Sequence, residues 1–483
     1  MLHLKKLVLI DKLANTLGIV IFLGAALGIG FIVGQYGATA GIMLALLMIG
    51  VPVLCGIIGY PKFGITVLLI AAYLLMWVIR FGINFPLGTL MDALELLLII
   101  GFFIKQKSAP DWSIYKNPIS YLILAWIIFN LIEVANPSAE SRLSWVYTIR
   151  SVAAVMLMYF VFLYHIKTIE FIRFILKLWL ALSMFAALYG FKQEYFGFFE
   201  FEQAGLNTDL MRSLLFIGGH WRKFSIFSDP VSFAYNMVAS SLLCIGLMSA
   251  PIKKYKKIIL GCMAAFFLYA MLFSGTRGAY VLPPAAFALL SILKFNKKVL
   301  ILAIAGLACM LVLIFMPTSN STLYRFQSAF KPSEDESFNV RKNNQKRIQP
   351  YIQTHPIGGG LGATGVWGQR FAPYSYLANF PPDSGYVRVA VELGWIGLLL
   401  FCTLMFFVLK TGINSYYNIR DPELKSICLS MTLIIFALNI GNYPQEAFVQ
   451  FPTNIFLYLA IALIGITSRL DKEKLHRNGR IYD

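Results

Sequence analysis

The chain alternates long apolar runs with short polar connections, and one connection is much longer than the rest. Taking about 20 apolar residues per membrane span, within roughly 17 to 25, the runs predict helices near 17–34, 37–60, 63–80, 87–104, 119–135, 145–164, 171–191, 226–249, 257–274, 278–293, 298–316, 385–409, 425–440 and 447–468. The expected fold is an all-α polytopic membrane protein of about 14 transmembrane helices. A large outer loop, 317–384, is inserted between the eleventh and twelfth helices. No repeat or low-complexity linker divides the chain, so 1–483 reads as a single integral membrane domain.

Charge agrees with this division. Only 13% of the 483 residues are charged, against about 25% in a soluble domain. The formal net charge of +18 would suggest nucleic acid on a soluble protein. Here the basic residues fall in clusters on alternate connections: Lys5 and Lys6, Lys62, Lys105 and Lys107, Lys167 and Arg173, Lys253 to Lys257, Lys294 to Lys298, Lys410 and Arg420, and the tail from Arg469. That is the pattern that orients helices in a membrane, with membrane lipids and not nucleic acid as the partner. It predicts cytoplasmic termini and gathers Arg80, the 192–225 segment, Arg277 and the 317–384 loop on the outer side. The six cysteines lie within apolar runs without CxxC or histidine partners, and read as small core residues.

Chemistry is therefore sought on the outer side. From Ile258 to Leu293 the only charged residue is Arg277, in Ser274-Gly275-Thr276-Arg277-Gly278. Two spans use all of that length, so Arg277 belongs near the headgroups, where a guanidinium either snorkels to lipid or grips phosphate through its planar fork. Gly275 and Gly278 allow a ligand to approach the backbone closely. A second cluster, Trp221-Arg222-Lys223, leads into Phe227-Ser228-Asp229-Pro230, where Ser228 or Asp229 before proline signals a helix start. A third, Arg341 to Arg347, precedes His355 and a glycine-rich run to Gly365 whose successive N–H groups can form an anion-binding nest. Asp383 follows two prolines, as a helix N-cap or a general base. Asp92 and Glu95, one turn apart in the fourth run, keep a secondary transporter or flippase in view as another class of function.

Four motifs, Phe-Ser-Asp-Pro with Phe-Ala at 227–234, Ser-Gly-Thr-Arg-Gly at 274–278, His-Pro-Ile-Gly-Gly-Gly-Leu-Gly at 355–362 and Glu-Leu-Gly-Trp-Ile-Gly at 392–397, resemble the O-antigen ligase and O-antigen polymerase superfamily of bacterial membrane glycosyltransferases. The resemblance covers about the second half of the chain. It implies transfer of a glycan from an undecaprenyl-diphosphate-linked oligosaccharide to a glycan or lipid acceptor, at the outer face of the bacterial inner membrane. No metal, nucleotide sugar or other cofactor is implied, and other polysaccharide-assembly membrane proteins are possible partners. Arg222 and Arg277 are expected to hold the diphosphate, with Arg341, Arg347, Gly275 and Gly278 around it. Asp383, His355 and Glu392 are the catalytic candidates. Ligases of this family usually carry a histidine just before the helix that here begins near Gly385, where this chain has Asp383 and Ser384, which favours a polymerase, or a ligase variant using a carboxylate.

The orientation has a direct test. In a cysteine-free background, a cysteine at Ser328 is expected to react with an impermeant thiol reagent in cells with an intact inner membrane, and one at Lys254 is not. The reverse pattern overturns the outer-face assignment.

Overall fold

A computed structural model of the chain describes residues 52–82, 87–295 apart from 207 and 218, 311–318 and 336–477, with isolated positions in 23–50, 301–308, 326–330 and 479. The expected spans 17–34 and 37–60 lie largely outside the described residues, as does about half of 298–316. Thirteen helices organise the described part: α1 (Pro61–Ile79), α2 (Leu87–Ser108), α3 (Pro118–Ile132), α4 (Arg142–His165), α5 (Ile169–Tyr195), α6 (Pro230–Leu247), α7 (Lys254–Leu272), α8 (Leu282–Leu293), α9 (Glu336–Thr354), α10 (Gly385–Glu392), α11 (Gly394–Asn418), α12 (Pro422–Gly441) and α13 (Thr453–Arg477). Among the described residues, nine helices are long and apolar enough to cross a membrane. The protein is multi-pass.

Three helices form the interior. The most apolar windows of α6, α12 and α13 are 83, 78 and 72% buried, whereas that of α7 is only 22% buried and faces outward. Small residues let the central helices approach closely, as hydrocarbon supplies no hydrophobic drive between them. A side chain at Gly246 in α6 would collide with Ser430 in α12, and one at Gly190 in α5 with the Phe233 ring of α6. A buried hydroxyl chain, Tyr73 to Ser183 at 2.8 Å and Ser240 to Ser183 at 2.7 Å, ties α1, α5 and α6 together.

Charged side chains sort to the two ends of the bundle. At one end Arg173 meets Glu423 at 2.6 Å, Lys474 meets Asp421, and Arg469 donates to the Leu163 and Ile166 carbonyls. These are the basic residues that the charge pattern assigned to one side. At the opposite end Arg80 closes α1, donating to the carbonyls of Ser225 at 2.6 Å and of Phe227 and lying 4.1 Å over the Phe224 ring. The 192–225 segment folds there into two short helices and a two-residue hairpin, Phe216–Ile217 with His220–Trp221. Asp92 in α2 pairs with Arg150 of α4 at 2.5 Å, while Glu95 is buried.

Two expectations are corrected. The run 385–409 is not one helix: α10 ends at Glu392 and α11 begins at Gly394, whose φ is +68° and whose added Cβ would strike the Pro356 carbonyl. Glycine is required because the 355–362 strap crosses the chain at that point. The polar 317–384 segment contains a 19-residue helix, α9. Its Ile348 packs with Leu377, Phe380 and Val391, so a mostly polar helix is held by one apolar contact row.

Candidate active site

The glycine run is a nest, but its anion is internal. Gly358, Gly360, Gly362 and Gly365 all have positive φ. Gly362 and Thr364 donate their backbone N–H groups to the Glu392 carboxylate at 3.0 and 3.3 Å, and the Thr364 hydroxyl donates to it as well. The Gly359 and Gly360 amides bond the carbonyls of Val391 and Glu392 at 2.9 and 2.8 Å. Asn136 fastens the other side, donating to Ile357 O at 3.0 Å while also bonding Glu133. This geometry makes Glu392, an expected catalytic residue, the latch of the loop: its side chain is 3% exposed and its oxygens are engaged. His355 is likewise occupied locally. Its ring stacks on Tyr351 at 3.9 Å, and Nδ1 lies 3.0 Å from the Tyr351 carbonyl at the end of α9.

The arginine cluster is built on the turn between α7 and α8. Gly275 adopts φ +58° there, and a four-residue helix starts at Arg277. Arg222 reaches this turn, donating from Nε to Ser274 O at 2.9 Å and from Nη2 to Thr276 Oγ1 at 3.1 Å. The Lys223 amide bonds Phe273 O at 3.0 Å, and Thr276 Oγ1 donates to Pro230 O at 3.2 Å. Asp229 caps α6 as its position before proline predicts, accepting from Val231 and Ser232. Two of the four motif segments, 227–234 and 274–278, thereby meet. Gly278 packs closely against Pro444, so the arginine turn abuts the 442–452 connection.

On α9, Arg341, Asn344, Gln345 and Ile348 point inward, whereas Arg347 is exposed on the opposite side and is not brought to the cluster. Arg341 and Asn344 face Asp383. Asp383 is half-buried, and this burial holds its carboxyl above the ordinary aspartate value, against the opposing pull of Arg341 and a hydrogen bond from Asn344. It is not the cap of α10: Ser384 fills that position, accepting from Val387 N.

The 442–452 connection also carries Glu446, which the sequence reading did not single out. Arg388 on α10 donates to Glu446 at 2.8 Å and to Glu392 at 3.1 Å, linking the glycine latch to the connection. The Arg388 and Glu392 spacing of four residues was the available signal; nothing in sequence pointed to Glu446. Burial raises the Glu446 carboxyl above its ordinary value, with Arg388 opposing. Arg388, Glu392 and Glu446 line a cavity of about 380 Å³ beside Asn442.

Comparison with known proteins decides what this assembly resembles. Residues 262–402 match the family model described as O-antigen ligase. The likeness is to the O-antigen ligase and polymerase superfamily. The O-antigen ligase match contains the arginine turn, α9, the glycine nest, Asp383 and α10, and leaves Arg222 and Glu446 outside it. It supports glycan transfer of the O-antigen ligase and polymerase type by a multi-pass membrane protein. No curated protein matches the chain.

The latch gives a stability prediction. Glu392→Ala leaves Arg388 short of a buried partner and strips the nest of its anion, a loss of about 3–5 kcal/mol. A clear drop in the thermal unfolding midpoint in detergent is the expected result. An unchanged midpoint would show that the nest holds without its carboxylate.

Proposed function

We propose that the protein transfers a glycan from an undecaprenyl diphosphate carrier to an acceptor hydroxyl at the outer face of the inner membrane, acting as a polymerase. The observation that carries this reading is the seating of Arg222 on the Ser274–Thr276 turn, one residue before Arg277. Two guanidinium-bearing segments from separate parts of the chain are thus fixed at the outer end of a hairpin. A carrier diphosphate at headgroup level would meet both. Arginine suits such a group, because its fork matches phosphate oxygens and its charge persists at any physiological pH.

In the reaction the acceptor oxygen bonds the anomeric carbon as the bond from that carbon to the diphosphate oxygen breaks. The electron pair leaves with the diphosphate, and the acceptor proton passes to a base. Fixed cations aimed at the growing charge lower the barrier without reorganising. Asp383 is the base we assign. It stands just before α10, at the position where ligases usually have histidine, and its raised pKa improves its basicity over an exposed aspartate. Glu392 and His355 are left with structural work.

Rates of transfer by purified variants given lipid-linked substrate test these roles. Lysine keeps the charge of Arg277 but loses the fork, so Arg277→Lys and Arg277→Ala are both expected to lose about 10- to 150-fold, the worth of one charge-assisted contact. Arg222→Ala acts on the same step, and the double variant falls short of additive. Wild-type rates in both Arg277 variants, at equal protein level, remove it from the site.

The assignment of Asp383 has a pH signature. A base works ionised, so the rate falls as pH drops through the Asp383 pKa, at a pH above the ordinary value of about 3.9. Asp383→Asn is expected to lose about 10² to 10⁴ in rate and to abolish that acid limb. An acid limb that persists in Asp383→Asn assigns the base elsewhere.

A further inference from the structure

The cavity of about 380 Å³ between α3, α4, α10 and the 442–452 connection does not suit a diphosphate. Its charged lining is Arg388, Glu392 and Glu446, one cation against two carboxylates. Both carboxylates already bond the guanidinium, at 3.1 and 2.8 Å. An anionic ligand would therefore face a wall of net negative formal charge, with its one cation neutralised. The arginine turn touches the 442–452 connection where Pro444 meets Gly278, and none of residues 274–278 lines the cavity. The two places are distinct in charge and in position.

What the wall does offer is hydrogen bonding without net positive charge. Asn130, Gln450 and Asn454 bring amides, and the Asn130 and Gln450 side-chain oxygens have no hydrogen-bond partner within the protein. A buried amide oxygen left so has lost its water without replacement, a cost that a ligand hydroxyl would offset. Trp126, Phe401 and Tyr458 supply apolar wall to the same space. The volume falls at the small end of ligand sites, roughly 300–1,000 Å³. Several hydroxyls, apolar ring faces and no charge are the attributes of a sugar ring.

We propose that this cavity is a binding subsite for an uncharged sugar of the glycan, separate from the diphosphate site, with Gln450, Asn454 and Glu446 taking its hydroxyls. This deepens the proposed function and rests on it for the role of the sugar in transfer. Binding itself does not depend on that role.

Saturation-transfer NMR on the purified full-length protein in detergent tests it, with uncharged methyl hexosides and N-acetylhexosaminides as probes and pyrophosphate as competitor. At least one sugar is expected to receive saturation and to survive excess pyrophosphate. Gln450→Leu and Asn454→Leu each weaken its binding about 2- to 10-fold, the worth of a hydrogen bond. Ser151→Phe, which fills the cavity from α4, abolishes it at an unchanged unfolding midpoint. Arg277→Ala keeps sugar binding. The proposal is overturned if no probe receives saturation, if pyrophosphate displaces the sugar, or if all the folded cavity variants bind as the wild type does. Sugar binding in a protein without transfer activity would leave the subsite standing and sink the proposed reaction instead.

Discussion

One carboxylate organises the end of the bundle that carries the glycine run. Glu392 accepts hydrogen bonds from the glycine run and an ion pair from Arg388, and Arg388 carries the link on to Glu446. A buried charge with too few partners is expensive, so the loop, the break between α10 and α11 and the 442–452 connection hold their arrangement together or lose it together. The positive φ values of the glycines follow from this demand: amides of a single short run must turn toward one point. Gly394 answers the same constraint from the other side, letting the strap cross at Pro356.

Around this latch the same end of the bundle divides into two regions of unlike charge. The turn between α7 and α8 is cationic and braced by Arg222, and Arg80 braces the segment that carries Arg222 by holding the carbonyls of Ser225 and Phe227. Ser225 itself has φ +54°, a strained state for a residue with a side chain. It is kept there by Gln193, which accepts its N–H at 2.8 Å, and by its own hydroxyl bond to Ala186 O. The cavity beside Asn442 joins apolar ring faces to amides and carries net negative formal charge. A substrate with an anionic carrier end and an uncharged sugar end fits that division, which is the physical case for the proposed reaction.

Much of the membrane fold was legible because length and hydropathy alone set a span, and because basic clusters recur on alternate connections. The helix start at Asp229 was readable from one residue and the proline after it. Other features were hidden for identifiable reasons. α9 looks like loop because it is polar and buries only a narrow row around Ile348. The break at Gly394 lies in an unbroken apolar run, where a glycine alone is an ambiguous signal. The nest was recognisable at 355–365, but its anion sits some 30 residues later in sequence, and only the fold brings them together. Glu446 had no motif around it, and its meaning comes from Arg388 alone. Arg347 shared a basic cluster with Arg341, yet helical periodicity sends the two to different faces.

The glycan made by cells that lack this protein tests the central claim most directly. If the protein is the polymerase, the final acceptor should carry single repeat units, with no long chains. Long chains stranded on the lipid carrier would instead assign it as a ligase. A glycan of unchanged length and attachment would contradict glycan transfer altogether.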